Sequence, residues 1–170
     1  MAKSHIPQGY SAVTPYLVVD GAAEAIAFYK RAFGAKEHFR LTMGDKVGHA
    51  ELDIGGAAIM LSDVFPEHGA SPKDLGGSTV ALSLYVANAD AAFAQAVKAG
   101  AIMERPLSDE FYGDRSCRLV DPFGHRWSIQ QRLENVTPKE MQKRLDAMMA
   151  QGAPKPAAKL KPKTRAKAEQ

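Results

Sequence analysis

The sequence predicts an α+β chain built from two copies of one β-α-β-β-β module, and three observations carry that prediction. The chain repeats itself: Leu17-Val18-Val19, ahead of an alanine-rich segment ending Ala32-Phe33-Gly34-Ala35, returns as Leu84-Tyr85-Val86 ahead of one ending Ala99-Gly100-Ala101. At an offset of 67, Ala25 falls on Ala92, Ile26 on Phe93 and Ala27 on Ala94; further on the offset is 68, where Gly56 falls on Gly124, Ile59 on Trp127 and Leu61 on Ile129. A repeat of this size marks one supersecondary unit used twice. Within each copy the apolar spacing changes from strand to helix and back. Hairpin-sized turns, Gly44-Asp45, Gly55-Gly56 and Asp121-Pro122-Phe123-Gly124, punctuate the rest.

Module 1 covers about residues 10–62. A β-branched run over 13–19 reads as a strand that stops at Asp20-Gly21. Residues 22–33 read as a helix, because Ile26, Tyr29 and Phe33 form one apolar stripe and Lys30 and Arg31 suit the negative end of its dipole before Gly34. Three short strands follow over 36–43, 47–54 and 57–62. A Gly, Pro and Ser-containing linker, 63–78, leads to module 2 at about 79–131: a strand over 79–86, a helix over 88–99 with Asn88 as N-cap, a short strand over 101–106, a loop over 107–113, and strands over 115–120 and 125–131. Thr137-Pro138-Lys139-Glu140 then carries a capping box with proline at the first helical position, so a helix is expected over about 137–151. Met141, Leu145, Met148 and Met149 give it one apolar face, expected to dock on the body or on a second subunit.

At 170 residues and 45% hydrophobic, the chain suits one core, so residues 1–152 are expected to form a single domain. No apolar run approaches the length of a membrane span, and the N-terminus lacks a secretory h-region, which predicts a cytoplasmic protein. The formal charge of +3 hides an asymmetry: residues 153–170 alone carry a net +5, so the body is mildly acidic. That argues against a nucleic-acid groove on the body and leaves only weak, salt-sensitive contact by the basic tail, which is too poor in apolar surface to order. Cys117 is the lone cysteine and forms neither a disulfide nor a zinc pair; it reads as a buried thiol.

Pro15-Tyr16-Leu17-Val18-Val19, Ala25-Ile26-Ala27-Phe28-Tyr29, Tyr112-Gly113-Asp114-Arg115 and Asp121-Pro122-Phe123-Gly124-His125-Arg126-Trp127-Ser128-Ile129, set in a duplicated module, resemble the vicinal oxygen chelate superfamily of glyoxalase, bleomycin-resistance, fosfomycin-resistance and extradiol-dioxygenase proteins, and within it the PhnB-like branch. The resemblance covers about residues 10–150. It implies that the two modules form one curved eight-stranded mixed sheet with helices outside and a small-molecule site on the concave face. It also implies where metal-binding members keep their ligands: the two histidine points fall on Thr14 and Ala81, the two carboxylate points on Met60 and Ser128. Alanine has no donor, a thioether suits soft copper, and neutral hydroxyls are weak ligands, so no metal and no cofactor are expected at that site.

If those four positions face the concavity, strand alternation turns Tyr16, Val18, Ser62, Ser83, Tyr85, Arg126 and Gln130 the same way. Tyr16, Ser62, Ser83, Tyr85, Ser128 and Gln130 are therefore candidate ligand-binding residues, joined by Arg115, whose guanidinium either binds an anion or locks its loop through Asp114. On the 47–54 strand His49, Glu51 and Asp53 share one face; His49 and Glu51, with Asp114, are the catalytic candidates, as acid-base groups or as part of a relocated divalent-metal site. His125, after the turn glycine, reads as a brace of the hairpin. No nucleophile elbow, phosphate loop, dinucleotide fingerprint or His-Glu-x-x-His occurs. The expected function is binding of a small molecule in the concave pocket by a homodimer without the family's metal. The alternatives are a lyase, isomerase or dioxygenase of the same superfamily, and an interaction module working through the C-terminal helix and tail.

Overall fold

The structure, a computed structural model, describes residues 5–66 and 69–152. Strand β1 (Tyr16–Val19), helix α1 (Ala22–Phe33) and strands β2 (Lys36–Met43), β3 (Lys46–Ile54) and β4 (Ala57–Asp63) make the first module. Strand β5 (Ala81–Tyr85), helix α3 (Ala89–Ala99) and strands β6 (Ile102–Asp109), β7 (Asp114–Val120) and β8 (Arg126–Arg132) make the second. A short helix α2 (Pro72–Leu75) interrupts the linker, held by a capping box between Ser71 and Asp74. His68 and the basic tail from 153 onward lie outside the described residues.

The expected α+β class and the eight strands are present, as two four-stranded mixed sheets ordered β1-β4-β3-β2 and β5-β8-β7-β6. Among the described residues no strand pair joins the two sheets, so the expected eight-stranded surface is divided into halves. The duplication extends to register. Tyr16 pairs with Met60 as Ser83 pairs with Ser128, and Glu51 faces Met60 as Arg118 faces Ser128. The offset is still 67 at Glu51 and Arg118 and becomes 68 at Met60 and Ser128, so the extra residue sits in the turn between β7 and β8.

Each sheet buries one face under its own helix, and α1 and α3 pack on one another. Ala22, Ala25, Ala32, Ala89 and Ala96 are buried, and their small side chains let helix and sheet approach closely. Ile26, Phe28, Tyr29, Leu52, Leu61, Leu119 and Ile129 fill the space between, each worth roughly 1.5–3 kcal/mol on burial. The two helix N-termini are closed by matching devices. The Asp63 carboxylate accepts from the backbone N–H of Gly21 (3.0 Å) and Ala22 (2.8 Å), and the Gln131 amide oxygen accepts from that of Ala89 (2.9 Å).

The modules are tied together at Asp121, which is almost fully buried. One of its oxygens accepts from Tyr29 Oη of α1 (2.8 Å) and Trp127 Nε1 (2.9 Å); the other accepts from the backbone N–H of Phe123 and His125, both at 2.9 Å. Tyr29, Phe33, Phe123 and Trp127 pack around it. Gly124, at φ +90°, completes the turn and admits the linker, since a Cβ there would stand 2.9 Å from Cβ of Pro72.

Two strand ends lie three residues from where they were expected. Strand β1 starts at Tyr16 rather than 13, because Pro15 lacks an N–H and the Thr14 hydroxyl donates into a local turn at Ser11 O. Strand β6 runs through Pro106 to Asp109 where a loop was expected; register shifts on both sides of Arg105 absorb the missing N–H on this edge strand. Helix α4 (Pro138–Ala150) belongs to a second compact unit that starts at Val136, separate from the one ending at Asn135. Within it the Thr137 hydroxyl caps Glu140 N–H and Gln142 donates to Asp146 (2.7 Å).

Replacing Asp121 with Ala strands the Tyr29 and Trp127 donors in the core, so Asp121→Ala should lower the unfolding free energy by about 3–5 kcal/mol in urea titrations. Burial holds the His125 imidazole below its ordinary value, against the opposing pull of Asp121 and of Val18 O at 3.3 Å from Nε2. The unfolded chain therefore takes up the proton first as pH falls below about 6.5, and stability from this group, full above that pH, declines as pH drops from there through its folded-state value. Unfolding free energies measured across this range should decline less steeply in His125→Gln.

Candidate functional site

The open face of the second sheet holds a cavity of about 290 Å³, lined by Ala81 and Ser83 of β5, Arg126, Trp127, Ser128 and Gln130 of β8, Arg118 of β7, Glu104 and Arg105 of β6, and Tyr112. Cross-strand pairing explains the set. Ser83 stands beside Ser128, Ser128 beside Arg118, and Arg118 beside Arg105, so one row of side chains crosses all four strands. The Arg126 guanidinium is bound to Glu104 (2.6 Å), and that of Arg105 to Glu110 (2.8 Å) and Ser116 Oγ (2.7 Å). Tyr112 Oη lies 3.3 Å from the same Ser116 hydroxyl. Arg118, by contrast, is exposed to the cavity without an ion pair or side-chain hydrogen bond among the described residues.

Of the residues selected from sequence, Ser83, Ser128 and Gln130 therefore line this cavity, with Arg126 beside them. Tyr85 and Asp114 lie on the same sheet outside its wall. Asp114 is buried and accepts from Tyr85 Oη (2.9 Å) while pairing with Arg132, whose guanidinium carbon also lies 6.0 Å from the Tyr85 ring centre. Arg115 is on the opposite, helix-bearing face. Its guanidinium spans Asp90 at the start of α3 and Asp109 of β6, with contacts at 2.8 Å, and these two carboxylates hold its pKa well above the usual value. Asp114 and Arg115 are adjacent strand residues and point to opposite faces, so they do not pair with each other. Ser62 is fully buried and donates to Asp63 O (3.0 Å), out of reach of a ligand.

His49, Glu51 and Tyr16 come together on the open face of the first sheet. His49 Nε2 lies 3.2 Å from Glu51 Oε1, and Tyr16 Oη lies 3.4 Å from His49 Nδ1. Tyr10, unremarked in the sequence, donates to the other Glu51 oxygen, and the Phe39 ring packs at 5.9 Å from the imidazole. The result is a continuous Tyr10-Glu51-His49-Tyr16 chain, an arrangement able to fix a histidine tautomer and pass a proton.

The four positions that the family resemblance marks for metal ligands hold a poor donor set. Ala81 supplies no donor, Met60 a thioether, and the hydroxyls of Thr14 and Ser128 are turned to the carbonyls of Ser11 (3.1 Å) and Cys117 (3.3 Å). These residues do not fit a hard divalent ion. Among the described residues no three His, Cys, Asp or Glu side chains converge elsewhere. Burial pushes the Cys117 thiol up, which keeps it protonated and inert.

Arg105, Arg118, Glu104 and Tyr112 are the lining residues that sequence reasoning missed. Arg118 was accessible to it, because alternation along β7 puts Arg118 on the face of Ser128. Arg105 was not, since the register shifts around it break the alternation.

The sequence profile of the Glyoxalase/Bleomycin resistance protein/Dioxygenase superfamily matches residues 10–129. The uncharacterized protein Rv0887c of Mycobacterium tuberculosis is 42% identical over 146 residues, 83% of this chain and 84% of its own. The X-ray structure of the Arabidopsis thaliana At5g48480 gene product superposes with a TM-score of 0.59 at 32% identity, covering 71% of this chain and 98% of its own. TioX from Micromonospora sp. ML1 superposes with a TM-score of 0.58 at 26% identity, covering 75% and 100%.

Asp114 and Asp121 are both buried carboxylates, but the donors they satisfy differ in access to water. Arg132 and Tyr85 are half-exposed and rehydrate when released. Asp114→Ala should therefore cost only about 1 kcal/mol in the same urea titration, well below the cost at Asp121.

Proposed function

The chain belongs to the glyoxalase/bleomycin resistance protein/dioxygenase superfamily, and we propose that it acts by binding a small molecule in the pocket on its second sheet, without the metal that the family's ligand positions hold elsewhere. The observation that carries this reading is the cavity itself: about 290 Å³, lined by hydroxyls, an amide, guanidinium groups and one carboxylate on one sheet face. The donor set at Thr14, Met60, Ala81 and Ser128 supports its metal-free character. Placement in the PhnB-like branch rests on the motifs around Tyr16, Tyr29, Tyr112 and Asp121. On the same reading the protein is a cytoplasmic homodimer. Exposed Leu41 and Met43 on edge strand β2, and half-exposed Tyr16 and Tyr85 on the open faces, give a second copy apolar surface to cover.

A second reading is favoured by the Tyr10-Glu51-His49-Tyr16 chain. It makes the protein an acid-base enzyme of the superfamily, in which His49 exchanges a proton with substrate while Glu51 fixes its tautomer. Turnover found in the purified protein and lost in both His49→Ala and Glu51→Ala would put this reading first.

The binding reading predicts that a library of polar and aromatic compounds contains one that stabilises the protein by about 2.7 kcal/mol when present at about 100 times its dissociation constant. In a chain of this size that is a rise of roughly 5–10 °C in Tm. Ser83→Trp, which fills the cavity from an exposed strand position, should abolish the rise. Metal analysis by mass spectrometry after dialysis against Fe, Mn, Ni, Zn and Co should find only traces; about one equivalent per chain overturns the metal-free reading.

A further inference from the structure

We infer that the ligand of the second-sheet pocket is a small organic anion, bound through a carboxylate or phosphonate oxyanion that completes the coordination of Arg118. The inference rests on the pocket reading above and adds the class of ligand. It comes first from a charge balance. Arg105, Arg118 and Arg126 all line the cavity, and two carboxylates answer them: Glu104 holds Arg126 and Glu110 holds Arg105. One cation is left over.

Its position makes the surplus informative. Arg118 is the direct cross-strand neighbour of Arg105, and like charges placed opposite each other across a ladder are destabilising. An anion on the Arg118 guanidinium removes that repulsion and receives its paired N–H groups, which suit carboxylate and phosphonate oxygens. Nε of Arg105 is buried and has no hydrogen-bond partner, although both terminal nitrogens of the same side chain are engaged. The neutral groups beside them, the Ser83 hydroxyl and the Gln130 amide, supply further donors around the same space.

The internal duplication supplies a control within the molecule. The row Tyr16, Met60, Glu51 and Phe39 in the first sheet occupies the same register as Ser83, Ser128, Arg118 and Arg105 in the second. The cross-strand pairing along the row is the same in both, so the fold does not require cations there. The second sheet has an arginine where the first has Glu51 and another where it has Phe39, and that inversion belongs to the pocket.

The probes are benzoate and phenylphosphonate, with benzamide as the neutral counterpart of benzoate, each titrated by calorimetry and thermal shift against sodium chloride of equal ionic strength. The inference expects saturable binding of at least one anion, none of benzamide, and weakening as salt is raised. Arg118→Gln should weaken it about tenfold or more and Arg118→Lys by less, since the charge stays and the fork is lost. Arg115→Gln, a guanidinium on the other face, should leave it unchanged. The Arg118 position is exposed, and unliganded unfolding midpoints at or above that of wild type certify that each variant is folded. Anions that act no better than chloride, or that bind Arg118→Gln as well as wild type, overturn the inference. If a neutral compound then stabilises the wild type and fails with Ser83→Trp, the pocket reading stands and only the anion class falls; anion binding that survives Ser83→Trp puts the site elsewhere and overturns both.

Discussion

The carboxylate of Asp121 joins the two modules, and the remaining architecture depends on it. Its oxygens accept four hydrogen bonds: one from Tyr29 on the helix of the first module, one from Trp127 on the last strand of the second, and two from the backbone of the turn between β7 and β8. A buried charge is tolerated only when its lone pairs are occupied, and here they are occupied by groups that come together only in the folded chain. The same contact sets the turn geometry that starts β8, and β8 supplies Ser128 and Gln130 to the pocket. Arg126, at the head of that strand, meets Glu104 of β6 from there.

The two modules share a skeleton and differ on their surfaces. Their buried faces are interchangeable in kind, with alanines under the helices, aliphatic residues along the central strands and a side-chain acceptor over each helix N-terminus. On the open faces the same register carries Met60 and Glu51 in one sheet and Ser128 and Arg118 in the other. Packing constrains the first set, because a changed volume in a close-packed interior costs several kcal/mol. The second set answers to water and to ligands, and it is free to diverge.

That freedom accounts for the chemistry now present. The positions that the family resemblance marks for metal ligands carry an alanine, a thioether and two hydroxyls turned to backbone carbonyls. The open faces carry two separate constellations: a hydrogen-bonded Tyr-Glu-His-Tyr chain on the first sheet and a cationic cavity on the second. Each is supported from behind, Arg105 by Glu110 and Ser116, His49 by Glu51 and Tyr10, so their side chains are positioned before anything binds.

The sequence by itself determined the class, the duplication and most of the register, because strand period and repeat offset are local properties that survive without knowledge of the fold. Alternation along β3 was enough to put His49 and Glu51 on one face, and the offsets of 67 and 68 were enough to set Met60 against Ser128. Only the tertiary structure decided which open-face residues meet a cavity. Ser62 has the right parity and is buried; Arg115 has the wrong parity and is held by Asp90, 25 residues away in sequence. Arg105 enters the pocket through a strand whose bulges hide its facing. Burial and ion pairing are set by segments distant in the chain, and no local pattern encodes which of them will arrive.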